Sequence, residues 1–236
     1  ASAPKEIVAE AHAWLEQRKS SPAWWVAEAV RRSNGGDIVA ILEALDRAIA
    51  LDPRHGDAWR ERGVVLAMQS RFDEAVTSFD EAITISAADV LAWDHKAVTL
   101  ARQNQFEGAF EVVEAALLCN PEAAALWSRR AFLVSKKGDW AETKENAERA
   151  IALDPSCKPA YLFLGEALAK LGDNRGAAER LRQHLAQTGM TERSPAVRAR
   201  ILAFEQPGRS LDAARGAVLQ DQAFALAAEG RLTEAL

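Results

Sequence analysis

The chain has 236 residues, 49 of them alanine, with 27% charged and only 7% aromatic side chains. So much alanine beside so little β-favouring content predicts an all-α protein, long enough to bury a core of one or two domains. A net charge of −5 argues against an electrostatic nucleic-acid binder. No apolar run reaches the ~18 residues of a membrane span, so no membrane insertion is expected. Cys119 and Cys157 form neither a C-x-x-C pair nor a disulfide framework.

Residues 1–21 open with Ala1-Ser2-Ala3-Pro4-Lys5, which has no basic n-region and no apolar h-region of an export signal. Cytoplasm is therefore the default location. A helix is expected over residues 5–18. Its Ile7, Ala11, Trp14 and Leu15 fall 34 residues before Ile41, Leu45, Ala48 and Ile49. It reads as a cap or as the second helix of a preceding repeat. The missing initiator methionine suggests a piece of a longer chain.

From residue 22 onward a period of 34 governs the sequence. Trp25, Trp59, Trp93, Trp127 and Tyr161 are spaced 34 apart, and four residues after each come Ala29, Gly63, Ala97, Ala131 and Gly165. Ala48, Ala82, Ala116 and Ala150 form a third column, which His184 breaks. Pro53, Ala87, Pro121 and Pro155 form a fourth. This defines five repeats at 22–55, 56–89, 90–123, 124–157 and 158–191.

Within one repeat, Trp59, Gly63 and Leu66 lie at helical spacing, a break follows at Ser70-Arg71, and Phe72, Ala75, Phe79, Ala82 and Ile83 begin a second stripe. Each repeat is thus a pair of short helices. At Lys137-Gly138-Asp139 and Leu171-Gly172-Asp173, glycine suits a left-handed turn and aspartate caps the next helix. Proline at 53, 121 and 155 ends the second helices. The small residue of the first helix lets the two helices close, with Ala82 or Ala116 opposite, while the aromatic is expected to be buried between repeats. Arg32 interrupts an apolar column and is expected to tilt the first helix or to face solvent. Thr143 and Ala147 are undersized, and Trp140 is expected to compensate.

These columns resemble the tetratricopeptide repeat, whose pattern is an aromatic, Gly or Ala, then Ala, an aromatic, Ala and Pro. The stretch 57–89 matches best, through Trp59, Gly63, Leu66, Ala75, Phe79 and Ala82. The resemblance implies a right-handed superhelical solenoid of antiparallel helix pairs with its first helices on the concave side. It also implies a test of subclass. Relatives that grip acidic chaperone tails use Lys and Asn at positions held here by Val26, Val30 and Glu61, so that clamp is not expected.

Beyond residue 191 the columns fade. Ser194 caps a short helix from Pro195 to Phe204, Gln206-Pro207-Gly208 stops it, and another helix begins near Ser210. One reading treats 192–215 as an irregular helical insertion and 216–236 as a truncated sixth repeat. The other pairs helix 195–205 with helix 211–229 as an aberrant hairpin. A truncated hairpin would expose an apolar edge able to bind a second copy of the chain.

No catalytic signature is present. His12, His55, His95 and His184 lack metal-ligand spacing, no nucleotide-binding or nucleophile motif occurs, and carboxylate pairs such as Glu43/Asp46 are helix-surface charges. No cofactor, metal or enzymatic activity is expected. The expected site is a groove. Counting from the aromatic, its positions hold Arg60 and Asp94, then Val30, Val64, Val98 and Phe132, then Met68, Arg102 and Lys136. An apolar row flanked by a basic one suits a peptide or helix of a partner protein with some acidic character. If buried between helices, the same apolar row would only shape the solenoid. The expected function is a non-catalytic interaction scaffold. The alternatives are a substrate-positioning or regulatory region of a larger enzyme and a self-assembling segment.

Overall fold

A computed structural model describes residues 20–33, 36–188, 195–205, 213–215 and 218. These are helical throughout apart from tight turns. In chain order the helices are α1 (Pro22–Ser33), α2 (Ile38–Leu51), α3 (Gly56–Met68), α4 (Phe72–Ile85), α5 (Val90–Arg102), α6 (Phe106–Cys119), α7 (Ala124–Lys137), α8 (Trp140–Leu153), α9 (Lys158–Lys170), α10 (Asn174–Thr188) and α11 (Pro195–Glu205). The expected N-terminal helix at 5–18 and most of 216–236 lie outside the described residues.

Two compact bodies divide the chain, Ala1–Pro121 and Glu122–Leu236. In the first, α1/α2, α3/α4 and α5/α6 pack as hairpins, and α1, α3 and α5 also touch in succession. In the second, α7/α8 and α9/α10 are hairpins, α7 touches α9, and α11 packs on α10. This is the all-α solenoid of helix pairs that the period implies.

The hairpins close around the small-residue column, and the partner differs from the expected alanine. A Cβ on Gly63 would lie 2.6 Å from Cε1 of Phe79, and one on Gly165 would lie 2.9 Å from Cδ2 of Leu181. Phe79 and Leu181 are fully buried. In the same second-helix register Val113 stands beside Ala97 and Ala147 beside Ala131, whereas Leu45 keeps its size beside Ala29. In the second repeat the missing side chain at Gly63 is what admits the Phe79 ring. At Ala147, Leu164 and Phe163 of the following first helix pack into the same cluster.

The turns share a backbone conformation that residue identity conceals. Gly36, Gly138 and Gly172 have φ of 72°, 81° and 92°, and Ser70 and Asn104 have 60° and 61°. All five positions are 34 apart. Each turn therefore passes through the left-handed region, where glycine is unstrained and a side chain is not. Asp37, Asp89 and Asp139 cap the following helices by accepting backbone N–H bonds at 3.0–3.1 Å, and Asp173 does so for Gly176 at 2.8 Å.

The aromatic column is a tether between consecutive repeats. Trp59 Nε1 donates to the Pro53 carbonyl at 2.9 Å, Trp93 Nε1 to Ala87 at 3.0 Å, and the Tyr161 hydroxyl to Pro155 at 3.0 Å. Tyr161 is buried, whereas Trp25, Trp59, Trp93 and Trp127 are only half-buried, short of the burial expected of the column. Arg32 neither tilts α1 away nor faces solvent alone. It donates to Glu28 at 2.8 Å and to the Ala40 carbonyl of α2 at 3.1 Å.

After α10 the phase continues. Pro195, Ala199 and Leu202 stand 34 residues after Tyr161, Gly165 and Leu168, and Ala199 is buried with Ala214 and Val218. A proline in the aromatic column is what hides the register in the sequence.

Candidate partner-binding face

Because α1, α3 and α5 touch in succession, side chains in one register share a face. Val30, Val64 and Val98 occupy such a register on the first body. Val30 is 57% exposed. Val98 is half-buried, and Val64, also half-buried, packs against the Leu66–Phe79 cluster. Met68, at the end of α3, is 68% exposed. Along the row, then, Val64 packs into the core of its own hairpin while Val30 stays accessible.

The charged residues of that face are less available than the sequence suggests. Arg60 lies 2.8 Å from the Asp57 carboxylate, 2.7 Å from Asp89 and 3.3 Å from Glu61. Burial works against its charge, but the Asp89 and Asp57 carboxylates outweigh it and hold its pKa above the ordinary arginine value. Asp89 comes from the cap of the next first helix, so Arg60 links repeats. Arg102 donates to the Ala67 carbonyl at 2.9 Å, closing the C-terminus of α3, and stands 4.9 Å from the Phe72 ring. Asp94 is half-buried.

Further along the first helices, Glu28, Arg62, Lys96 and Arg130 form a column in place of an apolar one. Arg62 pairs with Asp46 at 2.8 Å and Lys96 with Asp80 at 2.6 Å, each on the preceding second helix. Arg130 pairs with Glu142 at 2.6 Å and bonds Asn146 at 2.7 Å. These ions fasten helices together and are not groove charges.

On the second body the corresponding face is aromatic and basic. Phe132 is half-buried, and its ring lies 5.7 Å from that of Phe163. Lys136 Nζ stands 5.1 Å from the Phe132 ring centre and the Arg129 guanidinium 5.8 Å. Sequence reasoning missed Phe163 and Arg129. Their signal was a second aromatic two residues after Tyr161 and a cation three residues before Phe132. In the registers of Asp94 and Phe132 on this body, Ser128 is buried, Leu162 packs on Leu181 and Leu185, and Glu166 pairs with Arg200 of α11 at 2.7 Å.

Among the described residues no group of His, Cys, Asp and Glu is placed to hold a metal, and no helix is long and apolar enough to cross a membrane. Tetratricopeptide-repeat family models match residues 42–90 and 136–201. The chain is a tetratricopeptide-repeat protein. The second match reaches into α11, in keeping with the continued register. No curated protein matches the chain. Among solved structures, PilW, a widely conserved type IV pilus biogenesis factor, is similar with a TM-score of 0.71 at 16% identity, over 90% of this chain and 97% of that one. PilF of Pseudomonas aeruginosa follows at TM-score 0.69 and 16% identity, over 92% of this chain and 97% of that one. YrrB, described as a repeat protein with an unusual peptide-binding site, has TM-score 0.53 and 17% identity, over 75% of this chain and 92% of that one. At these identities the likeness is one of fold. The repeats are those of a protein–protein interaction scaffold.

Proposed function

We propose that this tetratricopeptide-repeat protein is a non-catalytic scaffold that holds a peptide or helix of a partner protein on the face of its first helices. The observation that carries the reading is the valine register of the first body: Val30, Val64 and Val98 on touching helices, with the exposed Met68 at its edge. A lone exposed valine means little. Here the exposed Val30 continues into the half-buried Val64 and Val98 along three packed helices, a partly accessible apolar strip. A partner helix with apolar side chains at i, i+3 and i+7 is a natural occupant. The peptide-binding site in the name of YrrB accords with this use of the fold.

The test is capture from lysate by the native chain beside a Val64→Asp/Phe132→Asp double variant, with circular dichroism confirming that both fold. A partner held by the native chain and lost by the folded variant supports the groove. If binding ignores both substitutions, the groove reading falls and the array is a spacer, an assembly segment or part of a larger enzyme.

A further inference from the structure

The two bodies differ in how their groove cations are satisfied. On the first, Arg60 is surrounded by three carboxylates and Arg102 is bonded to a helix-end carbonyl. On the second, Lys136 lies over Phe132 at 5.1 Å, and Lys170, 34 residues further in the same register, lies over Trp140 at 5.7 Å. Both lysines are exposed, and neither forms an ion pair among the described residues. The one carboxylate in a groove position there, Glu166, is taken by Arg200. Beside Lys136 lies the half-buried Phe132–Phe163 pair, with Arg129 against it.

We infer that the second body docks an acidic segment of a partner protein carrying one large apolar side chain. That side chain rests on Phe132 and Phe163, and the flanking carboxylates meet Lys136 and Lys170. The inference rests on the groove reading and adds the chemistry of the occupant. An aromatic ring holds a cation in place without neutralising it. A carboxylate arriving from a partner gains a charge-assisted bond to Lys136 or Lys170 without breaking an internal ion pair. A basic segment meets unbalanced positive charge, which opposes its encounter. The first body offers no such site, since each of its groove cations already has its acceptor. The last-turn position of both lysines also suits the helix macrodipole, so the test must read ligand charge and not stability.

Three short fluorescent peptides serve as probes of the full chain: an acidic one with a central Phe, the same peptide with its acids replaced by Lys, and the acidic one with Phe replaced by Ala. The acidic Phe peptide is expected to bind at least about tenfold tighter than either control, with affinity falling as salt rises. Lys136→Glu/Lys170→Glu should weaken it by about tenfold or more and favour the basic peptide. No binding of the acidic Phe peptide, equal binding of the basic one, or indifference to the lysine reversal overturns the inference. A captured partner lost by Val64→Asp/Phe132→Asp but kept by the lysine variant would sink this inference and leave the groove standing. If neither double variant alters capture, the groove reading has itself failed.

Discussion

Gly63→Ala sets two effects of opposite sign against each other. Alanine is the better helix former, so in an open helix interior the change would stabilise by about 1 kcal/mol. Here the new methyl would stand 2.6, 2.8 and 2.9 Å from three ring carbons of Phe79. The ring is fully buried, so relief requires the hairpin to open or the ring to leave its rotamer. Overpacking of this kind costs about 1–3 kcal/mol. With three ring atoms in conflict the upper part of that range applies, leaving a net loss of about 1–2 kcal/mol after the propensity gain. Phe79→Val reproduces the alanine–valine pairing of Ala97 and Val113, so combined with Gly63→Ala it should recover much of the loss. Urea unfolding followed by circular dichroism on the two single variants and the double variant gives the coupling. Favourable coupling of about 1 kcal/mol or more is expected. A stabilised Gly63→Ala, or additive effects in the double variant, would refute the claim that the missing side chain at Gly63 is what admits the Phe79 ring.

Three further outcomes follow from the turns and from Glu28. Ser70→Gly removes a left-handed strain of about 1–2 kcal/mol and forfeits about 0.5–1 kcal/mol of chain entropy, so a gain of about 0.5–1 kcal/mol is expected. Gly138→Ala at φ 81° should lose about 1 kcal/mol by the same reasoning reversed. Thermal melts of both variants check this, and an unchanged or raised midpoint for Gly138→Ala would contradict it. The hydrogen bond from Arg31, aided by Arg32, outweighs burial and holds Glu28 below its ordinary pKa of 4.5. A depressed carboxylate stabilises above its unfolded value and loses that stabilisation as pH falls through the folded one. Native protein should therefore shed stability below pH 4.5 more steeply than Glu28→Gln. Unfolding midpoints across that range should converge in acid and separate toward neutrality. Parallel curves would remove Glu28 from the acid response.

Much of the fold is legible in the chain because its information is local and repeated. A helix declares itself through spacing, and a solenoid repeats its spacing, so the columns from Trp25 to Tyr161 fixed helix pairs, turns and a 34-residue period at once. The same logic failed where identity changed but geometry did not. Ser70 and Asn104 occupy the conformation of Gly36 and Gly138, and Pro195 stands in the aromatic column without ending the register. Backbone conformation is imposed by the helices on either side, so a turn can tolerate a strained residue that sequence cannot flag.

The candidate face was legible as a list of residues and not as a surface. Arg60 and Lys136 look alike as groove cations, yet one is enclosed by Asp57, Asp89 and Glu61 and the other has only a ring beneath it. Asp89 lies 29 residues from Arg60 and reaches it only because successive first helices pack side by side. Likewise the second aromatic beside Phe132 comes from the next repeat. Sequence by itself determined the helices, their pairing and the register in which side chains recur, since these follow from periodicity along one strand of chain. Which charges are already satisfied, which glycine faces a ring and which aromatic stays wet was decided only by tertiary packing, because each depends on the reach of a side chain across a contact that spacing does not encode.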